Sequence, residues 1–154
     1  MSKLNTIATE FFTTFVCFEY ALKATGFHTA AGDASADWTK FANSIPTALS
    51  EHSDAEVNAA VAYIEDDHPR KQVMQNGLLA WASAPPATNN HTDKILIYVR
   101  RVRNNFFHGA KFIGRSSERQ RDEQLLQHSL TILRACLEAS VKVKTAYDKS
   151  HKMQ

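Results

Sequence analysis

From Leu4 to Thr25 the apolar positions Leu4, Ile7, Phe11, Phe15, Phe18 and Leu22 recur every three or four residues, the spacing of one face of an α-helix. Gly26 stands where such a helix would stop. A second apolar set, Phe12, Val16 and Tyr20, widens the stripe and predicts that the helix packs against neighbours on more than one side, as a central element.

Small residues around Gly32 and Asp33 make the stretch from Phe27 to Ala36 a loop, followed by a short helical piece around Trp38 to Ser44 that Pro46 closes off. Ser53-Asp54-Ala55-Glu56 has the form of a capping box and starts a helix running to about Asp66, with Val57, Val61 and Ile64 inward. Between Lys71 and Ser83 the apolar residues fit no period well and Gly77 interrupts them, and we read a short helix there. Pro85 to Asn90 is a turn-rich connection. Thr92 is then expected to cap a helix with Ile95, Tyr98 or Val99, Val102 and Phe106 inward, ended by Gly109 just after His108. One of Phe106 and Phe107 should pack inside. After a break at Gly114 to Ser117, a long final helix runs from about Glu118 to Asp148, with Leu125, Leu126, Ser129, Ile132, Leu133, Cys136, Ala139, Val143 and Ala146 near one side. No strand alternation bounded by turn signals is read anywhere, so the pattern predicts an all-α bundle of about four to six helices.

A chain of 154 residues, 44% hydrophobic and 22% charged, has the size and composition of one globular domain, and 1–154 is expected to be that single unit. No apolar run is long enough for a membrane span and no signal-peptide pattern opens the chain, which makes the cytoplasm the default compartment. Cys17 and Cys136 fall inside predicted helices, without the spacing of a zinc site or redox pair, and read as buried thiols. The seven histidines are scattered, so neither a metal nor a cofactor is expected, and no phosphate-binding glycine loop exists. Charge is distributed unevenly. Residues 1–68 hold three lysines against ten carboxylates, whereas residues 94–121 hold Lys94, Arg100, Arg101, Arg103, Lys111, Arg115, Arg119 and Arg121 against Glu118 alone. A local basic block of this kind attracts a phosphate backbone, although it also suits a plain solvated face.

Within that block lies Val102-Arg103-Asn104-Asn105-Phe106-Phe107-His108-Gly109-Ala110-Lys111. An Arg and a His separated by four residues, with a polar amide after the Arg and a Gly after the His at a helix end, resemble the Arg-x4–6-His motif of HEPN domains. Those domains are all-α bundles. The resemblance extends to Phe18-Glu19-Tyr20-Ala21-Leu22-Lys23 and to Ala36-Asp37-Trp38, which are similar to the first helix and a downstream Trp-centred piece of some HEPN branches. Ala110 departs from the pattern, since related sequences often have a second Gly before the Lys.

The chemistry open to these residues is RNA cleavage without a metal, in which a base takes the 2′-hydroxyl proton, the oxygen attacks phosphorus, and positive charge stabilises the phosphorane. His108 suits proton transfer and the Arg103 fork suits phosphate oxygens, while Asn104 could orient the His or hold a substrate oxygen. Lys111, Arg115, Arg100 and Arg101 are the candidates for backbone phosphate contacts, and Glu19 and Lys23, an i, i+4 pair, could support the site or be a surface ion pair. Arg103 could instead pair with an acid such as Glu19, and His108 could serve only the last helical carbonyls. Five residues of regular helix turn the chain by about 140° and advance it about 7.5 Å, so Arg103 and His108 of one chain would point apart. Either the helix is distorted or two protomers share a site. The resemblance implies the second: a homodimer with a composite site, products ending in a 2′,3′-cyclic phosphate and a 5′-hydroxyl, and a role as a toxin or in antiviral defence, with any antitoxin or regulator on a separate chain. The alternative is a non-catalytic RNA-binding or protein-interaction module.

Overall fold

The computed structural model describes residues 2–107 and 116–152, with side chains for all of these except 116–118. Helix α1 (Lys3–Ala24) starts where the Ser2 hydroxyl accepts the Asn5 N–H at 3.2 Å. It ends as its sequence predicts: Gly26 takes φ +92°, and the Phe27 N–H turns back to the Leu22 carbonyl at 2.9 Å. Helix α2 (Trp38–Ser44) is capped by Asp37, whose carboxylate accepts the Lys40 N–H at 2.9 Å. The cap of α3 (Ala55–Asp66) lies one residue later than expected, because Asp54 takes the N–H groups of Glu56 and Val57 at 2.8 and 3.1 Å.

The segment read as a short helix is a β-hairpin, with β1 (Lys71–Gln75) antiparallel to β2 (Leu78–Ala82), in register from Lys71 opposite Ala82 to Gln75 opposite Leu78. Its two-residue turn is Asn76-Gly77, with φ +53° and +75°, values that L-residues other than Asn and Asp rarely adopt and that match the right-handed twist of the strands. The Gly that seemed to interrupt a helix is the turn itself.

Helix α4 (His91–Phe107) is capped by Asn90 rather than Thr92: the Asn90 side chain accepts the Asp93 N–H at 3.0 Å. Thr92 is buried, and its hydroxyl donates to the Ile45 carbonyl at 2.9 Å, tying α4 to the turn after α2. The expected single final helix is two, α5 (Ser116–Glu138) and α6 (Val141–Lys152), parted where the Ala139 and Ser140 N–H groups reach back only three residues to Cys136 and Leu137. That tightening turns the chain, and Ala139, expected inward, is exposed. The break expected over 114–117 lies partly outside the described residues, and His108 and Gly109, expected at the end of α4, lie wholly outside them.

Helix α1 packs on α5 and α6, α3 on α5, and α2 on α4, and the core they enclose draws on all six described helices. Cys17 and Cys136 are both buried in it. Phe106 is inside and Phe107 is 66% exposed. The second stripe on α1 is not a buried one: Phe12 is partly covered, while Val16 and Tyr20 are 61% and 51% exposed, since α5, α6 and α2 occupy the other sides of the helix. Among the described residues no helix is long and apolar enough to cross a membrane, and no group of three or more metal-ligating side chains comes together.

Candidate functional site

Arg100, Arg103 and Asn104 stand at i, i+3 and i+4 on α4 and therefore share one face of it. Opposite that face run Phe15 and Glu19, one turn apart on α1, with Trp38 at the first position of α2 and Lys71 at the start of the hairpin. Together they border an open cleft of about 380 Å³ into which Arg101 also reaches. Four cationic side chains and one carboxylate line it.

Trp38 fixes that carboxylate. Its ring is packed 5.2 Å from Phe15 and 4.9 Å from Phe18, centroid to centroid, and only 3% exposed, so its N–H is available in one direction. It donates to Glu19 Oε2 at 3.0 Å. Glu19 Oε1 has no hydrogen-bond partner among the described residues. The expected surface pairing of Glu19 with Lys23 does not form, because the indole holds Glu19 toward α2, and Lys23 is exposed and outside the cleft. Nor does Glu19 form an ion pair with Arg103 among the described residues.

Arg103 is held by rings. Its guanidinium carbon lies 4.8 Å from the centroid of Phe107 and 5.5 Å from that of Phe15, the range of cation–π attraction, and Nη1 donates to Asn104 Oδ1 at 3.0 Å. The guanidinium is thus bordered by two rings, and Asn104 is its one hydrogen-bond partner among the described residues. Asn104, expected to orient His108 or a substrate oxygen, spends its carbonyl oxygen on Arg103.

Arg100 is deeper. Burial pushes its guanidinium pKa down, and the nearby carboxylates of Asp93, Glu19 and Asp37 partly oppose this. Its guanidinium makes no hydrogen bond among the described residues, and its Nε is buried without a partner. Arg100 as a whole is half-buried, so an anion entering the cleft would meet the part of its guanidinium that solvent still reaches rather than the buried Nε. Arg101, by contrast, is engaged: Nη1 donates to the Ala84 carbonyl at 2.8 Å and the guanidinium lies 5.4 Å from the Tyr98 centroid. Arg121, also in the basic block, is committed to Asp67 at 2.8 Å. The block is not one uniform phosphate surface.

Of the expected site residues, Arg100, Arg101, Arg103, Asn104 and Glu19 come together here, Lys23 does not, and His108, Lys111 and Arg115, with Ala110, lie outside the described residues. Three contributors escaped the sequence reading. Lys71 was hidden by the misread hairpin, and Phe15 looked like core alone although it also faces Arg103. Asn105 is buried and donates to the Arg70 carbonyl at 2.9 Å, fastening the hairpin's leading edge to α4; its place on the helix face beside Val102 and Phe106 was its only signal. No family model, curated protein or solved structure matches this chain.

Proposed function

We propose that this protein is a metal-independent endoribonuclease of the HEPN type, acting in a toxin or antiviral-defence setting. Arg103 stabilises the charge that develops on phosphorus during attack by the ribose 2′-oxygen, and His108 moves a proton in the same step. Two protomers contribute their Arg103 and His108 to a composite site across a two-fold axis.

The observation that carries the reading is the convergence of Arg100, Arg103 and Asn104 on one cleft at the C-terminal part of α4, with Arg103 five residues before His108 in the sequence. Arg103 is bordered by two rings and neither it nor Arg100 forms an ion pair among the described residues, which is an arrangement suited to receiving phosphate oxygens. The cytoplasm is the expected setting and a separate regulator chain the expected restraint.

End-group analysis of the products tests the chemistry. Purified protein incubated with RNA in EDTA should leave 2′,3′-cyclic phosphate and 5′-hydroxyl ends. Products carrying 5′-phosphates would overturn the mechanism, and intact RNA bound tightly by the protein would favour a non-catalytic RNA-binding module.

A further inference from the structure

Glu19 and Arg100 face the same cleft, yet their side chains do not form a salt bridge with each other. Burial lowers the Arg100 pKa and Glu19 is among the carboxylates that partly oppose this, while both side chains border the cleft with no ion pair joining them. Each has capacity left over: among the described residues Glu19 Oε1 is an unused acceptor, and the Arg100 guanidinium, which borders the cleft, makes no hydrogen bond. Arg103 presents a second donor edge beside them. The Trp38 indole keeps the carboxylate from swinging across to Arg100.

A group bridging these side chains must donate one hydrogen bond to a carboxylate and, an atom or two away, offer anionic oxygens to two guanidinium groups. An ionised phosphate ester by itself meets only the second need, since it has no proton to donate and its oxygens would be repelled by Glu19. A hydroxyl next to a phosphate diester meets both. We propose that the cleft recognises a ribose 2′-hydroxyl together with its adjoining 3′-phosphate: the hydroxyl donates to Glu19 Oε1, and the phosphate accepts from Arg100 and Arg103. Glu19 is then the residue that distinguishes RNA from DNA, and Arg100 supplies binding strength without reading the sugar. The inference rests on the ribonuclease reading for the choice of polymer, but it concerns binding and is open to test apart from cleavage.

The Glu19→Gln variant is suited to the test, because a glutamine oxygen still accepts from the buried indole while the amide turned to the cleft loses the negative charge. The probes are a single-stranded RNA decamer and the same sequence with 2′-fluoro sugars, which keep the ribose pucker but cannot donate. Dissociation constants are measured by fluorescence anisotropy in a His108→Ala background, so that the RNA strand stays whole. The parent protein should bind the RNA about tenfold more tightly than the fluoro strand, the worth of one charge-assisted hydrogen bond. Glu19→Gln should bring that ratio below about threefold, with the loss on the RNA arm, and Arg100→Ala should weaken both strands alike. An unchanged ratio in Glu19→Gln, or equal binding of the two strands by the parent, overturns the proposal. If the ratio behaves as expected while protein with His108 intact leaves RNA uncut, the recognition proposal stands and the ribonuclease reading falls. If the protein cuts RNA but Glu19→Gln keeps the preference, the reverse holds.

Discussion

Replacing Trp38 with Phe removes the one group that joins the aromatic core to the carboxylate of the cleft. The ring is 3% exposed and sits against both Phe15 and Phe18, so the smaller side chain leaves a void, worth about 1–2 kcal/mol for a part of a buried aromatic. The hydrogen bond to Glu19 Oε2 is lost as well; since Glu19 borders an open cleft and regains water, that adds only about 1 kcal/mol. Trp38→Phe should therefore destabilise the fold by about 2–3 kcal/mol. Urea unfolding followed by helical circular dichroism reads this directly: with a slope of about 2 kcal/mol per molar, the midpoint should fall by about 1–1.5 M with the slope unchanged. A double-mutant cycle with Glu19→Ala separates the two parts, and a coupling of about 1 kcal/mol is expected. A loss below about 0.5 kcal/mol would refute the packing, and additive single effects would refute the bond to Glu19 on which the site's geometry depends.

Two further outcomes follow from other parts of the fold. Gly77→Val forces a β-branched residue to φ +75° in the hairpin turn and should cost about 1–2 kcal/mol, seen as a lower melting temperature, whereas an unaltered melt would mean the turn is not held in that form. Burial pushes the Cys136 thiol from 9.0 up to about 12; because this folded-state value lies above the unfolded one, its contribution is complete below pH 9 and is lost as pH rises toward 12. Stability should thus fall between pH 8 and 10.5 less steeply in Cys136→Ala than in the parent, and parallel pH profiles from urea titrations would contradict the buried placement.

The helices were legible wherever an apolar stripe coincided with a stop signal. In α1 the three-and-four spacing and Gly26 fixed both the inward face and the end, and in α4 Ile95, Val99, Val102 and Phe106 did the same for the face that turns Arg103 outward. What escaped was decided by packing or by turn chemistry. Phe12, Val16 and Tyr20 have the spacing of a second buried stripe, but spacing does not reveal whether a neighbour covers it. The hairpin carried the Asn-Gly signal of a tight turn, yet most of its residues are exposed on both faces, so no clean alternation accompanied it. The break between α5 and α6 contains neither Gly nor Pro, and only three-residue hydrogen bonds at Ala139 and Ser140 mark it. At the site, the motif pointed to Arg103 and its neighbours, and Glu19 was singled out, but its partner was not. The pairing with Lys23 suggested by helical spacing gives way to a longer-range bond from Trp38, nineteen residues along the chain, that only the packing of α2 on the aromatic core creates.

The central claim is tested most directly by incubating purified protein with total cellular RNA in EDTA and comparing it with Arg103→Ala and His108→Ala. The account predicts that the parent protein cuts RNA, and that both variants lose at least about a hundredfold in rate, as expected for the removal of a proton-transfer or charge-stabilising group, while keeping the parent's circular dichroism and oligomeric state. Cleavage undiminished in either variant would contradict it.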